Sequence, residues 1–555
     1  MNQRFMTREI MVGTVAVGGS NPVRVQSMTN TSTMDTAASV RQTIQLYQAG
    51  CELVRITAPG VKEAANLALI KQELQKQGYN IPLIADIHYS PKAAEVAAAI
   101  VEKVRINPGN YTGAEPRNIN YTPQQYQKAL DKVRQKISPL IKICKEHNTV
   151  IRIGSNHGSL GRRIIHRYGN TPEGMVEAAL EFVRICREMD FHQIILSMKA
   201  SNVRVMVHAT RLLVKKMMDE GMDYPVHLGV TESGDGIEGR VKSAVGIGTL
   251  LADGIGDTIR VSLTEDPVNE VPVAHSILNY LKQEKKALVT DVFNDFFYDP
   301  FSYNPRFSKR SQLKTAIVEP LVLAEAGDYT CEKPDIVINA NQSAQKRWQR
   351  VSLDETSNDE DYNQPVMATS RKAPAVYSFR RFFEELHQDE LRIPVILHKT
   401  YSGDAAASAI SAAIDFGPLF LDGLGDGIWL ESDEEHRQDF VSLAYTLLQA
   451  CGARISKTEF IACPSCGRTR YDIQASLQKV KAATCHLKGL KIAVMGCVVN
   501  GPGEMADADY GYVGMGAGKV ALYRGHTQVQ HDVPEEEAVD ALVEMIKKDG
   551  RWREK

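Results

Sequence analysis

The first 280 residues repeat one rhythm: a short β-rich run, then a helical one, eight times over. The β-rich runs fall at 22–28 (PVRVQSM), 52–57 (ELVRIT), 81–88 (IPLIADIH), 103–107 (KVRIN), 149–154 (TVIRIG), 193–199 (QIILSMK), 225–232 (PVHLGVTE) and 257–262 (DTIRVS). Helical stretches such as PKAAEVAAAIVEK (91–103) and TPEGMVEAALEFVRICREM (171–189) separate most of them. Eight such units predict an α/β fold with an N-terminal (β/α)8 TIM barrel. An open, doubly wound sheet is the alternative, and the count of eight favours closure.

The strand ends carry the chemistry. Each strand begins apolar and finishes polar, with polar residues two apart: Arg55 with Thr57, Asp86 with His88, Arg105 with Asn107, Ser197 with Lys199, Arg260 with Ser262. A spacing of two puts both members of a pair on one face of a strand. Barrels build their sites at the C-terminal mouth, so Arg55, Arg105, Arg152, Lys199 and Arg260 are expected to converge there. Five cations repel unless anions answer them. Asp86, Glu232 and Asp257 are candidate counterions, but five against three leaves excess positive charge. Guanidinium forks suit phosphate oxygens, so the mouth reads as a phosphate or diphosphate site. His88 and Glu232 are its acid/base candidates, Glu232 lying in the glycine-rich loop TESGDG.

Residues 284–452 interrupt the rhythm and contain an echo of it. Residues 394–431 (PVILHKTYSGDAAAS…DGLGDGIWLE) repeat 225–262 (PVHLGVTESGDGIEG…DGIGDTIRVS) at a constant offset of 169, without a gap. Glu232, Arg260 and Ser262 become Tyr401, Trp429 and Glu431, so the punctuation survives and the chemistry does not. The expectation is a middle insertion of barrel-related β/α units serving as scaffold or spacer. The polar stretch 352–374 inside it reads as an exposed loop. Three domains are expected: 1–283, 284–452, and an α+β unit over 453–555.

The last domain holds CPSCGR, with Cys463 and Cys466, and CVVNGPGE, with Cys497. Three thiols are one short of a usual zinc or iron–sulfur set. Spacing alone leaves both metals open, with Cys485 or His486 as a possible fourth zinc ligand. The other cysteines (51, 144, 186, 331, 451 and 485) read as small buried hydrophobes. An odd total of nine argues against a disulfide framework and for a reducing cytoplasm. A net charge of −2 gives no electrostatic case for nucleic acid. No run is apolar enough to predict a membrane span, and the N-terminal residues show no signal-peptide pattern.

CPSCGR and CVVNGPGE, together with VQSMTNT, ADIHY, VRINPGN, IRIGSNHGSL, HLGVTESG and GIGDTIRVSL, closely resemble the 4-hydroxy-3-methylbut-2-enyl diphosphate synthase family of non-mevalonate isoprenoid biosynthesis, in its three-domain form. The resemblance covers 1–280 and 455–525. It implies a [4Fe–4S] cluster on Cys463, Cys466 and Cys497, with Glu504 as fourth ligand. It also implies reductive opening and dehydration of 2-C-methyl-D-erythritol 2,4-cyclodiphosphate. Arg55, Arg105, Arg152, Asn156, Lys199, Arg260 and Ser262 would then hold the diphosphate, with Glu232 as acid/base, His88 nearby and Asn500 orienting substrate or ligands. Electrons would come from a ferredoxin or flavodoxin, and the assembly would be a homodimer. The 284–452 spacer is expected to let each chain's cluster domain reach its own barrel. The competing reading is a zinc-stabilised phosphate-binding protein without redox chemistry.

Overall fold

The computed structural model describes residues 3–113, 121–281, 287–294, 296–330, 332–338, 348–354, 362–432, 437–469, 471–498, 501–505, 507–516 and 518–554. Eight parallel strands form the first sheet: Arg24–Met28, Leu53–Thr57, Leu83–Asp86, Lys103–Ile106, Val150–Asn156, Ile194–Lys199, His227–Leu228 and Thr258–Ile259. Each pairs with the next, and the eighth returns to the first. A bridge between Leu196 and Val226 joins the sixth to the seventh and closes the barrel. All eight strands read from the sequence are present. The seventh and eighth are shortest because each runs quickly into a polar, glycine-rich segment.

Only the lowest layer of the barrel interior is apolar. Leu53, Ile84, Val150 and Ile195 pack against Ile10, Val12 and Val17 of an N-terminal hairpin that plugs that end. Above this layer the interior is polar: Gln26, Lys103, Arg152, Ser197, His227 and Thr258 are all buried. Barrels are usually filled with branched aliphatic side chains, so stability here rests on the plug and on the outer helix–strand core. The polar interior leads directly up to the mouth.

A second, six-stranded parallel sheet runs, in spatial order, Ile336–Ile338, Leu321–Glu325, Gly427–Ser432, Val395–Tyr401, Val366–Thr369, Gln349–Ser352. The stretch 352–374 is not one exposed loop. Val366, Met367 and Ala368 are buried in a strand paired on both sides, because the VMAT run satisfies its backbone in the sheet. Residues 355–361 lie outside the described residues.

The 169-residue offset carries over into structure. Helix Gly236–Ala252 corresponds to helix Ala405–Leu421, and the two pack against each other. A Cβ on Gly248 would come within 2.8 Å of Ile414, and one on its counterpart Gly417 within 2.9 Å of Val245. Val245 and Ile414 are themselves counterparts, so the contact is that of a pseudo-two-fold axis. The same symmetry relates Arg211 to Arg380 and Asp253 to Asp422. Arg211 bonds Asp253 at 2.9 Å and Asp422 at 2.5 Å, and Arg380 reaches Asp253 at 2.7 Å. All four side chains are at most 1% exposed. Losing one carboxylate would leave two buried guanidinium groups sharing the other, so the quartet fixes how the middle region seats on the barrel.

The C-terminal sheet has five strands in sequence order: Glu459–Ala462, Lys491–Met495, Tyr510–Gly516, Lys519–Arg524 and Thr527–Pro534. Helices Ile473–Thr484 and Ala538–Lys548 cover one face, burying Leu477, Val480, Leu542 and Ile546. Met505, Met495 and Val513 pack on the other face. Both cysteine segments leave the same edge of this sheet, after neighbouring parallel strands. Among the described residues no helix is long and apolar enough to cross a membrane.

Candidate active site

The barrel mouth and the cysteine edge enclose a cleft of about 520 Å³. Its walls include Arg55, Asp86, His88, Arg105, Asn156, Lys199, Glu232, Arg260 and Ser262 from the barrel, with Cys463, Cys466 and Glu504 from the C-terminal sheet. Strand register does the gathering. Thr57 pairs with Asp86, Asp86 with Arg105, Arg105 with Arg152, and Asn156 with Lys199, so neighbouring strands offer these side chains at stepped heights. Two glycines make room. A Cβ at Gly154 would come within 3.2 Å of Arg105 Nε, and one at Gly229 within 2.7 Å of Lys199 Nζ.

Arg105 is the hub. Its Nη1 lies 3.4 Å from Asp86 Oδ1 and donates to His88 Nε2 at 2.7 Å; its Nη2 donates to Asn156 Oδ1 at 2.8 Å. The nitrogen of His88 facing a guanidinium must accept, so the imidazole is neutral. Burial first, then the Arg105 charge, depress its pKa to about 3. Asn156 passes the chain of bonds across the cleft: its Nδ2 donates to Glu504 Oε1 at 3.0 Å. Arg260 is held by Glu270, at 3.1 and 3.2 Å, and Arg55 lies 3.8 Å from Asp86. Burial, then Arg55, Arg152 and Arg260, hold Lys199 well below the usual lysine range.

The counterions differ from those expected. Asp257 is at the opposite end of the barrel, accepting from Arg4, Thr7 and the Val226 N–H. It precedes the eighth strand, whereas the mouth is built by residues toward and beyond the C-terminal ends of the strands. Glu270, from the following helix, takes its place; nothing in its local sequence marks it. Arg468, two residues past Cys466, lines the cleft and was also missed by sequence reasoning.

Glu232 has φ +50°, a left-handed conformation that costs a non-glycine residue roughly 1–2 kcal/mol. The turn aims its carboxyl at Glu504, to which it is hydrogen-bonded. Burial, then the Glu504 charge, push the Glu232 pKa well above the carboxylate range. Asn500 lies outside the described residues.

Arg152 stands beneath the cleft rather than on its wall. It is wholly buried, and none of its three nitrogens has a hydrogen-bond partner among the described residues. Burial, then Arg55 and Arg105, lower its pKa, yet a guanidinium keeps its charge at neutral pH. An uncompensated buried charge of this kind costs several kcal/mol. Methionine at 152 is therefore expected to stabilise the ligand-free chain, raising the barrel's melting temperature by about 5 °C, and to weaken diphosphate binding about tenfold or more. A lower melting temperature by calorimetry would show that Arg152 is already compensated.

Among the described residues no three His, Cys, Asp or Glu side chains converge tightly enough for one metal ion. A [4Fe–4S] cube needs its ligands spread around a cage, one per iron. Cys463, Cys466 and Cys497 are all partly exposed, and burial with the Cys466, Glu232, Glu504 and Cys497 charges raises the Cys463 pKa. His486 is spent elsewhere, bonded to the Arg553 carbonyl and edge-on to Trp552. Cys485 is exposed rather than buried, because it caps the outer end of helix Ile473–Thr484. Cys51, Cys144, Cys186 and Cys451 are buried as expected, and Cys331 lies outside the described residues.

Family models match at both ends: the GcpE TIM-barrel domain over residues 7–275 and the GcpE protein C-terminal domain over 459–548. A protein of Parabacteroides distasonis named 4-hydroxy-3-methylbut-2-en-1-yl diphosphate synthase (flavodoxin) is 43% identical, over 98% of this chain and 97% of its own length. A Phocaeicola vulgatus protein of the same name is 44% identical over 100% of this chain and 99% of its own. The chain belongs to the 4-hydroxy-3-methylbut-2-en-1-yl diphosphate synthase family. Its relatives match along the middle region too, so that region is common to these family members. Among solved structures, dihydropteroate synthase of Burkholderia cenocepacia covers 50% of this chain at 15% identity and a TM-score of 0.32, a likeness that says nothing about chemistry.

Proposed function

We infer that this cleft reductively opens the ring of 2-C-methyl-D-erythritol 2,4-cyclodiphosphate to give 4-hydroxy-3-methylbut-2-enyl diphosphate. Two electrons and two protons enter, one ring C–O bond to the diphosphate breaks, and one water leaves. The observation that carries the reading is the meeting, in one cleft, of a cationic barrel mouth with Cys463, Cys466 and Glu504 of the C-terminal sheet. Cys463, Cys466, Cys497 and Glu504 would hold a [4Fe–4S] cluster. When bound, it supplies electrons singly and an iron whose hard carboxylate ligand is exchangeable.

The chain's own residues do the rest. Arg55, Arg105, Lys199, Arg260 and Ser262, with Arg152 behind them, hold the diphosphate and stabilise the charge it gains when the bond breaks. Asp86, His88 and Glu270 fix the guanidinium groups in place before substrate arrives. Asn156 holds Glu504 and orients it. Glu232, whose raised pKa favours the protonated acid, delivers a proton to the departing oxygen. Asn500, four residues before Glu504, orients substrate or a cluster ligand. The middle region, 284–452, acts as a scaffold, and flavodoxin, the donor in the relatives' names, supplies electrons.

The test is an anaerobic assay of the cyclic diphosphate with an artificial reductant, on chain reconstituted with iron and sulfide. Product is expected together with a brown visible absorbance. A fully loaded chain that forms no product would refute the reading, and stoichiometric zinc without iron would favour the non-redox alternative.

A further inference from the structure

Met28 ends the first barrel strand, Arg24–Met28, and pairs in register with Arg55 of the second. The first strand stands between the second and the eighth, and Arg260 follows directly on the eighth, Thr258–Ile259. One side chain at this position therefore reaches both arginines. Met28 Sδ accepts from Arg55 Nε at 3.2 Å and from Arg260 Nη1 at 3.5 Å. Met28 is only 3% exposed and lines the cleft. The residue before it, Ser27, donates to Glu270 Oε2 at 2.8 Å, and Glu270 in turn accepts from Nε and Nη2 of Arg260. Two consecutive residues of the first strand thus hold Arg260 on two sides, one directly and one through a carboxylate.

A thioether is an unusual acceptor for two buried cations. Arg260 is near enough for its charge to oppose that of Arg55, so the pair must be kept from turning apart. A carboxylate between them would do so, but it would also cancel charge that a diphosphate needs. A hydrocarbon of the same size would keep the charge and leave the buried Arg55 Nε–H without this acceptor. Sulfur is neutral, polarisable and a weak acceptor, so it answers both donors and leaves both charges in place. With Nε spent on sulfur, the Nη groups of Arg55 are left for a ligand, and Asp86 stands 3.8 Å from Nη1. We propose that Met28 is a positioning residue for the diphosphate: its sulfur sets the spacing and orientation of Arg55 and Arg260 without neutralising either. This rests on reading the mouth as a cyclic diphosphate site.

Two substitutions separate the acceptor from the packing. Met28→Leu keeps an apolar side chain of similar volume and removes the acceptor; Met28→Gln keeps an uncharged acceptor and is the poorer apolar filler. The experiment titrates the cyclic diphosphate by calorimetry into oxidised, cluster-loaded chain, where it binds without turnover, and records melting temperatures alongside. Met28→Leu is expected to bind about tenfold more weakly, the scale of one to two hydrogen bonds to charged donors, and to melt at least as high as Met28→Gln. Met28→Gln is expected to recover binding to within about threefold of the unsubstituted chain. The two rankings thus run in opposite directions, which a role in packing alone does not produce. In turnover, kcat/KM of Met28→Leu should fall at least as far as its affinity, because charge on the diphosphate grows as the bond breaks. Binding by Met28→Leu at the unsubstituted affinity, or by Met28→Gln no better than by Met28→Leu, overturns the proposal. Should either variant fail to retain iron, the same titrations on the cluster-free proteins decide between the same outcomes. An unsubstituted, loaded chain that does not bind the cyclic diphosphate would instead refute the functional reading beneath it.

Discussion

Glutamine at position 232 is expected to lower turnover about a thousandfold, within the range for losing a positioned proton donor. Iron content and the dissociation constant for the cyclic diphosphate are expected to stay within about twofold. Glu232 is 3% exposed and sits next to the Glu504 carboxylate in a strained turn. Burial and that neighbouring charge favour the neutral acid, so Glu232 holds its proton to higher pH than an ordinary glutamate. Glutamine keeps the shape and a donor N–H but has no proton to transfer. The pH dependence separates these roles. Turnover of the unsubstituted chain should fall as pH rises through the raised Glu232 pKa, and the residual rate of Glu232→Gln should lack that alkaline limb. The stability effect has a definite sign. Above the ordinary glutamate pKa the unfolded chain releases this proton while the folded chain keeps it. Folded stability therefore declines as pH rises across that window. Glutamine removes the titration, so the substituted, cluster-free chain should melt higher than the unsubstituted one at pH 8. An unchanged alkaline limb in Glu232→Gln would assign the proton to another group.

The barrel was legible because its signal is carried by period: apolar strands ending in polar pairs, eight times. Arg55, Arg105, Lys199 and Arg260 could be placed at the mouth by alternation alone. What alternation cannot give is height along the barrel axis, and Arg152 shows this: it shares the inward face but lies below the cleft. Asp257 failed for the same kind of reason, since a residue entering a strand faces the plugged end. Glu270 and Arg468 were missed because their partners are ten or several hundred residues away, in contacts that no local pattern encodes. The echo at 394–431 was visible as text. Its extension through Arg211 and Arg380 became evident only where the two guanidinium groups meet the same pair of aspartates.

Mixing Glu232→Gln chains with Cys466→Ser chains, through unfolding and reassembly or co-expression, is expected to recover no activity beyond that of Glu232→Gln alone. The first lacks the proposed barrel acid and the second a proposed cluster ligand. If caps were exchanged between partners, mixed dimers would hold one intact barrel–cap pair each, and the mixture would reach about a quarter of full activity. The contacts argue against exchange. Ser233, beside Glu232, forms a β-bridge with Ala462, and Thr264 donates to the carbonyls of Ala462 and Cys463. Lys242 pairs with Glu459 at 3.0 Å, and Asp235 accepts from Gln478 and Lys481. The loop that bears the acid is thereby bonded to the strand that leads to the first cluster cysteine, within one chain. The connection leaves little freedom to do otherwise. Helix Arg437–Ala450 ends eight residues before strand Glu459–Ala462, a span of at most about 28 Å if fully extended. Part of it is pinned: Arg454 bonds Asp335 and the Pro320 carbonyl, and Gln449 accepts from the Ser456 and Lys457 amides. The middle region is in turn locked to the barrel by the buried Arg211–Asp253–Arg380–Asp422 quartet. A cap tethered this closely to a body seated this firmly meets the mouth of its own barrel first. Recovery near a quarter of full activity would mean that the quartet, or the short connection, opens in solution.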